Sequence, residues 1–253
     1  MYAEERQAHI LRLTRAAGRV EVAELAAELD VAPETIRKDL TALERSGVIR
    51  RVHGGAMPVE RLGFEPAVAT RDVVLTAEKE RIAKAALAEL PEDGAILLDA
   101  GTTTARLAAI MPADRELTVV TNGVPLASRL AAYPNLNVLF IGGRVRGRTL
   151  AAVDAWALHA LSEVYVDVAF LATNGVSVER GLTTPDPAEA AVKAAMMAAA
   201  RRVVLLADHS KVGHDHFARF GTLAQLDLLV TDSGLDERTA AELAAAGPRV
   251  VRA

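Results

Sequence analysis

Residues 31–55 have the sequence VAPETIRKDLTALERSGVIRRVHGG, in which a short helical pattern runs into a short extended one. Ile36, Leu40 and Leu43 follow the i, i+4, i+7 spacing of one buried helix face, and Pro33 suits the first turn of that helix. The extended part carries basic residues and closes on two glycines, as a strand followed by a turn does. The stretch therefore predicts a helix followed by a basic β-wing.

The outer face of this predicted helix carries the side chains that remain once the apolar seam is buried. Such a helix fits the major groove of B-DNA, where its N-terminal side chains reach base edges, and basic residues on a wing can neutralise phosphates. The candidate DNA-binding residues are Thr35, Arg37, Lys38, Thr41, Arg50, Arg51 and His53. The alternative interpretation is a three-helix cap on a larger domain, with surface charge that serves solubility.

The residues before this stretch complete a three-helix arrangement. Residues 10–17 carry a helical apolar stripe, and Gly18 stands where a C-terminal cap belongs. A second stripe at 25–29 is followed by a tight turn at 30–32. Residues 1–57 are therefore predicted to form a winged helix-turn-helix DNA-binding domain.

The next segment, 58–75, is a linker by composition, because Pro58, Gly63 and Pro66 interrupt any periodicity. An extended arm packed on the second domain is the alternative for this segment. Residues 76–253 are then expected to form the larger domain.

Composition and charge exclude several classes of protein. The 253 residues include no cysteine, which excludes a disulfide scaffold, a Cys-ligated zinc finger and a Cys nucleophile. No apolar run approaches the roughly 20 residues that span a bilayer, and the charged N-terminus lacks a signal core, so we expect a cytoplasmic protein with no membrane partner. The net charge of −4 comes from residues 58–253, since residues 1–57 hold nine basic and nine acidic side chains. This balance predicts weak nonspecific DNA binding.

Seven short apolar runs recur after residue 76, with helical segments between most of them. Continuous apolar runs that alternate with helices indicate parallel strands covered on both faces, which predicts an α/β domain. The runs are Ala95–Leu98, Leu117–Val120, Val138–Ile141, Val166–Leu171, Val203–Leu206, Leu228–Val230 and Val250–Val251.

The residues that follow these runs are candidates for a ligand site, because ligands of such sheets bind beyond the carboxyl ends of the strands. Glycines and hydroxyls at a helix N-terminus can cradle an oxyanion, and nearby Arg or Lys would complete a phosphate site. The candidate effector-binding residues are Asp99, Gly101, Thr102, Thr103, Thr104, Thr121, Asn122, Gly142, Gly143, Arg144, Asn174, Gly175, Lys193, Asp208 and Lys211. A simple helix cap at 101–104, and a surface ion pair between Asp208 and Lys211, are the alternatives.

Other ligand classes find little support in the chain. The sequence contains neither the phosphate-binding G-x-x-x-x-G-K-[ST] motif nor the dinucleotide-binding G-x-G-x-x-G motif, which disfavours a nucleotide. His214 and His216 have the spacing of a metal pair, but no third ligand is indicated. We therefore expect no cofactor and no metal.

The strings TIRKDL at 35–40 and RRVHGGA at 50–56 resemble the DeoR/GlpR family of bacterial transcriptional repressors. The resemblance continues through DAGTT at 99–103, GLTT at 181–184 and DHSKVG at 208–213 of the larger domain, so it covers nearly the whole chain. One departure is Ala32, where the family usually places Ser. The helix that follows lacks a side-chain N-cap, which contributes about 1 kcal/mol.

This resemblance implies a repressor that a phosphorylated sugar releases from DNA. The family's sensor domain is similar in fold to ribose-phosphate and glucosamine-phosphate isomerases. The TNG string at 173–175 and the string GLTTPD at 181–186 look like regulators of fructose-uptake and phosphofructokinase genes, which makes fructose 1-phosphate a candidate effector. Since one helix-turn-helix contacts few base pairs, we expect a homodimer or homotetramer on double-stranded operator DNA.

A second hypothesis is a phosphosugar isomerase with an accessory N-terminal domain. Such an enzyme needs a base near a substrate carbon and an electrophile for the oxyanion, and Lys193 and Asp208 are the residues on offer. The Gly-rich stretch that follows the catalytic lysine of ribose-phosphate isomerases is absent, because Lys193 is followed by AAMM. We therefore expect a protein that is not an enzyme.

Overall fold

The computed structural model describes residues 3–45, 48–52, 54–58, 65 and 67–253. The chain divides into two compact units, Met1–Arg61 and Leu62–Ala253. His53, a predicted DNA-binding residue, lies outside the described residues, as do Gly63 and Pro66 of the predicted linker.

The first unit contains three helices and a three-stranded antiparallel sheet with the strand order β1-β3-β2. Its elements are α1 (Ala3–Ala17), β1 (Val20–Glu21), α2 (Val22–Glu28), α3 (Pro33–Arg45), β2 (Ile49–Val52) and β3 (Gly55–Pro58). Ile10, Leu25, Ile36, Leu40 and Ile49 are fully buried at its centre. The predicted apolar seam of α3 and the winged helix-turn-helix fold are therefore confirmed.

Glycines shape two points of this unit. Gly18 ends α1 with φ +72°, a left-handed conformation that glycine adopts without steric cost. Gly55 lies where β3 crosses β1, and a Cβ atom there would overlap the carbonyl oxygen of Val20. Close packing of β3 on β1 therefore requires glycine at position 55, in addition to the turn at the tip of the wing.

The second unit is built around a seven-stranded parallel sheet. Its helices are α4 (Val68–Asp72), α5 (Thr76–Ala86), α6 (Thr102–Ala109), α7 (Val124–Leu130), α8 (Ala155–Ser162), α9 (Pro187–Ala198) and α10 (Glu237–Ala245). Its strands are β4 (Gly94–Leu98), β5 (Leu117–Thr121), β6 (Leu136–Phe140), β7 (Arg144–Arg146), β8 (Ala151–Val153), β9 (Val166–Ala172), β10 (Gly175–Ser177), β11 (Gly181–Thr184), β12 (Ala200–Leu206), β13 (Ala218–Gly221), β14 (Leu228–Thr231) and β15 (Arg249–Arg252). Short 3-10 turns occupy Leu87–Glu89, His209–Lys211 and Leu223–Gln225.

The order of the large sheet is β15-β14-β12-β9-β4-β5-β6, and each pair of neighbours is parallel. All seven apolar runs predicted as strands belong to it, so the predicted parallel α/β domain is confirmed. Helices α5, α6 and α7 bury apolar residues on one face, and α8, α9 and α10 do so on the other. The apolar runs did not predict two small antiparallel sheets, one of β7 and β8 and one of β10, β11 and β13.

The sheet reverses its direction of growth between β4 and β9. From β4 the chain adds β5 and β6 on one side, and then returns to place β9 on the other side of β4. Such a switch point opens a crevice at the carboxyl ends of the two central strands. That crevice, hereafter the sensor crevice, begins at Asp99 after β4 and at Thr173 after β9.

The segment 58–75, expected to be a linker, instead contains α4 in its described part. Val68 N donates to Arg148 O at 2.9 Å, and Arg106 Nη2 donates to Asp72 O at 3.0 Å. These contacts belong to the second unit, so α4 packs on that unit, whereas Pro58 is the last residue of β3 in the first unit. Among the described residues, no helix is both long and apolar enough to cross a membrane.

Candidate DNA-binding and effector sites

The outer face of α3 gathers most of the candidate DNA-binding side chains. Arg37 and Lys38 are exposed, while Thr35 and Thr41 are half-buried. Arg37 Nη1 lies 2.6 Å from Glu34 Oε1, a surface pair that costs little to exchange for another anion. Arg37, Lys38 and Thr41 line a shallow depression together with Ala42 and Arg45. Arg45 is a basic residue at this surface that the sequence argument did not select.

The wing meets the same face of α3. Arg51 Nη1 donates to Thr41 Oγ1 at 3.1 Å, and Arg51 N donates to Glu44 Oε1 at 2.9 Å. The backbone of Arg50 pairs with Met57 in the β2–β3 hairpin. The structure therefore brings Arg37, Lys38, Thr41 and Arg51 into one basic surface.

Asp39 is a residue that the sequence argument missed. It is 3% exposed on the inner face of α3, where Oδ2 lies 2.5 Å from Arg6 Nε and Oδ1 accepts from Gln7 Nε2 at 3.0 Å. Its position three residues after the buried Ile36 was the available signal, because residues at i and i+3 share a helix face. The Arg6–Asp39 pair thus fixes α1 against α3 from behind the outer face.

At the sensor crevice, Asp99 and Lys193 form a buried ion pair. Asp99 Oδ2 accepts from Lys193 Nζ and, at 3.0 Å, from Ala172 N. Lys193 Nζ also donates to Ala172 O at 2.9 Å and lies 5.5 Å from the ring centroid of Phe220. Burial raises the pKa of Asp99, against the opposing influence of Lys193. The pair therefore joins β4, β9 and α9 beneath the crevice.

The turn at 101–104 places the N-terminus of α6 in the crevice. A Cβ atom at Gly101 would lie 2.8 Å from Ala172 Cβ, so only glycine fits between β9 and α6. Thr104 Oγ1 donates to Asp99 O at 2.6 Å and is fully buried. No described residue hydrogen-bonds the hydroxyls of Thr102 and Thr103. Two of the three predicted hydroxyls thus retain their hydrogen-bonding capacity.

Thr121 and Asn122, at the end of β5, support the neighbouring loops. Thr121 Oγ1 accepts from Gly123 N at 3.1 Å, and Asn122 Oδ1 accepts from Ala100 N at 2.8 Å. Both side chains are buried. Asn122 therefore supports the turn after β4, and Thr121 supports the turn after β5.

A groove of about 240 Å³ lies beside the N-terminus of α6. Two basic side chains that were not predicted, Arg106 and Arg129, line it. Its lining residues are Val68, Ala69, Asp72, Ala100, Gly101, Thr102, Ala105, Arg106, Ala108, Pro125, Leu126, Arg129 and Thr149. Arg106 pairs with Asp72 at 3.0 Å, and its Nε atom is buried with no partner among the described residues. The spacing of four residues between Thr102 and Arg106 was the available signal.

Gly142, Gly143 and Arg144 follow the edge strand β6, two positions from β4 in the sheet. Arg144 is exposed, and its Nε atom lies 2.6 Å from Asp154 Oδ2, a carboxylate that raises the pKa of Arg144. The structure thus directs Arg144 to Asp154, and the residues after β6 stand at the margin of the sheet.

Asn174 and Gly175 follow β9 and lie in the crevice. Asn174 Nδ2 donates to Glu65 Oε1 at 3.2 Å, and Asn174 Oδ1 accepts from Thr184 Oγ1 at 2.9 Å. Gly175 pairs with Thr183 in the small antiparallel sheet. Glu65 is thereby a second carboxylate that the sequence argument missed.

Asp208 and Lys211 follow β12, the strand next to β9. Asp208 caps the 3-10 turn by accepting from Ser210 N at 3.1 Å, and Lys211 is half-buried.

Lys79 of α5 donates to Arg71 O at 2.5 Å and to Val74 O at 2.6 Å, and burial lowers the pKa of Lys79 to about 8. Asp208 raises this pKa and Lys211 lowers it, so the three groups share one electrostatic environment.

The catalytic roles offered to Lys193 and Asp208 do not fit this geometry. The Lys193 ammonium is buried against Asp99, and Asp208 is engaged by Ser210. No group of three His, Asp or Glu side chains within the described part of the chain could hold a metal ion.

A winged helix-turn-helix with a basic outer face, linked in one chain to a parallel α/β unit with a polar crevice, defines a DNA-binding transcriptional regulator with a sensor unit. Residues 6–61 match the DeoR-like helix-turn-helix domain, and residues 75–233 match the DeoR C terminal sensor domain. The chain belongs to the DeoR family of transcriptional regulators.

Two relatives and one solved structure illustrate the similarity. The HTH-type transcriptional regulator GlpR of Haloferax volcanii is 39% identical, with 99% of this chain and 98% of that protein aligned. The glycerol-3-phosphate regulon repressor of Escherichia coli is 29% identical, with 90% of each chain aligned. Ribose 5 phosphate isomerase A from Neisseria gonorrhoeae superimposes with a TM-score of 0.39 and 17% identity over 53% of this chain and 52% of that chain. Because its relatives are regulators and repressors, the chain is a transcriptional regulator and not an enzyme.

Proposed function

We propose that this regulator represses sugar-metabolism genes by binding their operator DNA, and that a phosphorylated sugar bound in the sensor crevice releases it. The observation that carries the proposal is the exposed basic face of α3, backed by a buried seam and flanked by the wing. In this proposal residues 1–57 are the DNA-binding domain and residues 76–253 the sensor domain.

Operator reading is assigned to the basic surface of α3 and the wing. Arg37 and Lys38 stand in the first exposed turns of α3, from which a bound helix reaches base edges. Thr35 and Thr41 flank them, and Arg50, Arg51 and His53 are proposed to contact phosphates or the adjacent groove.

Two or more copies of the chain are proposed to bind together. One recognition helix contacts too few base pairs to select a site in a genome, and paired half-sites solve this problem. A homodimer or a homotetramer provides such pairs. Because the operator is chromosomal DNA, the proposed compartment is the cytoplasm.

Effector binding is assigned to the groups of the crevice that retain hydrogen-bonding capacity. Thr102, Thr103 and the first N–H groups of α6 can donate to a phosphate, and the helix dipole favours its charge there. Lys211 and Arg106 supply nearby cations. Asp99, Lys193, Asn122 and Thr104 are proposed to hold the crevice in shape from below, since their polar atoms are already paired.

The decisive test is a gel shift on the promoters that flank the chain's own gene, titrated with a panel of sugar phosphates that includes fructose 1-phosphate. We expect a specific complex that one or a few members of the panel dissociate, because the effector must bind the free and DNA-bound forms unequally. The unphosphorylated sugars serve as matched controls and should leave the complex intact.

Three results would contradict the proposal. A chain that shows no preference for any flanking promoter over random DNA is not a repressor of those genes. A complex that no sugar phosphate changes argues against the proposed effector class. Turnover of any sugar phosphate in the same panel would favour the isomerase hypothesis.

A further inference from the structure

Glu65 is a buried carboxylate in the segment that joins the two units. It lies a few residues after the boundary between Arg61 and Leu62, yet its side chain is only 2% exposed. Its carboxylate lies 3.0 Å from Arg146 Nη1, 3.2 Å from Asn174 Nδ2 and 3.8 Å from Arg71 Nη2, and its carbonyl oxygen accepts from Arg148 Nη1. A buried charge needs partners of this kind, so Glu65 is held within the second unit.

Glu65 neutralises part of the positive charge that surrounds it. Arg71, Arg146 and Arg148 form an arginine cluster around Glu65, in which Arg71 and Arg146 contact its carboxylate and Arg148 its carbonyl oxygen. Arg146 also lies 3.2 Å from Asp186 and 2.5 Å from Glu189. Without Glu65, Arg71 would have no carboxylate partner among the described residues. Arg71 Nε is moreover buried with no hydrogen-bond partner among the residues described, so the cluster has a donor left over.

The three carboxylates are not equally fixed. Asp186 caps α9 by accepting from Glu189 N at 3.0 Å, and Glu189 accepts from Thr149 Oγ1, so both are held by α9 and its surroundings. Glu65 belongs to no helix or strand. It is therefore the carboxylate whose departure disturbs the fold least.

Glu65 also occupies the side-chain donor of Asn174, a residue that the sequence predicts to bind the effector. Asn174 follows β9 in the sensor crevice, and its Nδ2 group already donates to Glu65. A guanidinium pairs equally well with a carboxylate or a phosphate, but two anions cannot share one such position. An effector that takes these donors has to displace the Glu65 side chain.

We propose that Glu65 is an internal competitor of the effector, whose carboxylate holds the arginine cluster and Asn174 until an anionic sugar phosphate takes their place. This inference rests on the proposed function and adds an internal competitor at its effector site. Displacement of Glu65 loosens the hold of the second unit on the described residues that follow it, α4 included, so effector binding and the order of α4 become linked.

The experiment compares the full chain with Glu65→Gln, and with Glu92→Gln as the control. Gln removes the charge and keeps the size, and Arg146 retains Asp186 and Glu189 as partners. Glu92 is exposed, and its side chain has no hydrogen bond or ion pair with another described residue. Its substitution changes the net charge by the same amount as Glu65→Gln. Binding of the sugar phosphate panel is measured by calorimetry, and release from the operator by gel shift.

We expect Glu65→Gln to bind the effector at least about threefold more tightly than the unchanged chain, because loss of a competitor raises the fraction of sites that are open. The half-maximal concentration for operator release should fall in parallel, while Glu92→Gln behaves like the unchanged chain. Equal or weaker effector binding by Glu65→Gln would overturn the proposal.

Hydrogen exchange separates this inference from the proposed function. Amides of α4, among them Val68 N, should exchange faster in Glu65→Gln than in the unchanged chain, and faster in the unchanged chain once effector is added. If no sugar phosphate binds either chain, the proposed function fails, and accelerated exchange in Glu65→Gln still supports the holding role of Glu65. Unchanged amide exchange in Glu65→Gln overturns the holding role of Glu65.

Should Glu65→Gln fail to fold by circular dichroism, Glu65→Asp provides the test, with a shortened side chain and the same expected directions of change in effector binding and amide exchange.

Discussion

The outer face of α3 and the sensor crevice use polar residues in opposite ways. On α3 the side chains of Arg37 and Lys38 are exposed, and the Arg37–Glu34 pair lies on the surface. In the crevice Asp99 and Lys193 are buried and already paired with each other. The helical spacing of apolar residues predicts which side chains of a helix are exposed. A position just after a strand does not predict whether a side chain binds a ligand or only supports the site. The comparison therefore separates residues that are available to a partner from residues that hold a site in shape.

The largest expected effect is on the supporting groups. Lys193→Met should lower the free energy of unfolding of the second unit by about 3–5 kcal/mol, because Asp99 is left buried without its cation. Chemical denaturation followed by circular dichroism measures this. Adding Asp99→Asn should restore most of the loss, since Asn keeps an acceptor for Ala172 N. A loss below about 1 kcal/mol in the single variant would mean that Lys193 is not a supporting residue.

On α3 the expected effect is on binding instead of stability. Arg37→Ala and Lys38→Ala should each weaken operator binding by about 1–3 kcal/mol, the usual contribution of a side chain that reads a base, with no change in the unfolding transition. Fluorescence anisotropy with a labelled operator at fixed salt measures the affinity. Arg201→Ala removes an equally exposed charge from the second unit and should bind DNA normally. Unchanged affinity in both α3 variants would remove these residues from the reading role.

Lys79 extends the comparison to pH, because it is a buried cation whose pKa lies near 8. At pH below 8 it carries a proton in both the folded and the unfolded chain, and burying that charge disfavours folding. Between pH 8 and about 10.4 only the unfolded chain binds the proton, so this penalty fades and stability rises with pH. Relative to Lys79→Met, the unchanged chain should gain roughly 1–3 kcal/mol across that window. Denaturant midpoints measured at several pH values test this, and a flat difference would contradict it.

The smallest expected effects distinguish two neighbouring threonines of one turn. Thr104→Val should cost about 1 kcal/mol of stability, because the hydroxyl that donates to Asp99 O is lost. Thr103→Val should change stability by less than about 0.5 kcal/mol yet weaken sugar phosphate binding about fivefold. Thermal denaturation and calorimetry on the two variants provide the measurements, and each variant is the control for the other. Equal effects of both on effector binding would erase the proposed distinction.

Much of this arrangement could be predicted from the sequence, and the reason is local. The apolar runs at β4 and β9, and the Ile36–Leu40–Leu43 seam of α3, are short-range patterns that burial enforces. The strand order, and with it the switch point between β4 and β9, depends on contacts between distant segments. Local patterns carry little information about such contacts.

The buried acidic residues that were not predicted also depend on contacts between distant segments. Asp39 is buried because Arg6 and Gln7 reach it from another helix, and Glu65 is buried because Arg146 and Asn174 do so from more than 80 positions away in the chain. Each looks like an ordinary surface acid until its distant partner is known. Sequence reasoning thus predicted which polar residues follow the strands, but not which of their polar groups are already engaged.

The Arg6–Asp39 pair has a consequence for how such regulators diversify. Since α3 is anchored through its inner face by this pair and the apolar seam, its outer positions carry little of the unit's stability. We therefore expect the fold to tolerate substitutions at the exposed Arg37 and Lys38, whatever their effect on operator binding. A duplicated gene could acquire a new target sequence through a few changes on this face while its product still folds, which makes recognition the readily evolved part of the molecule.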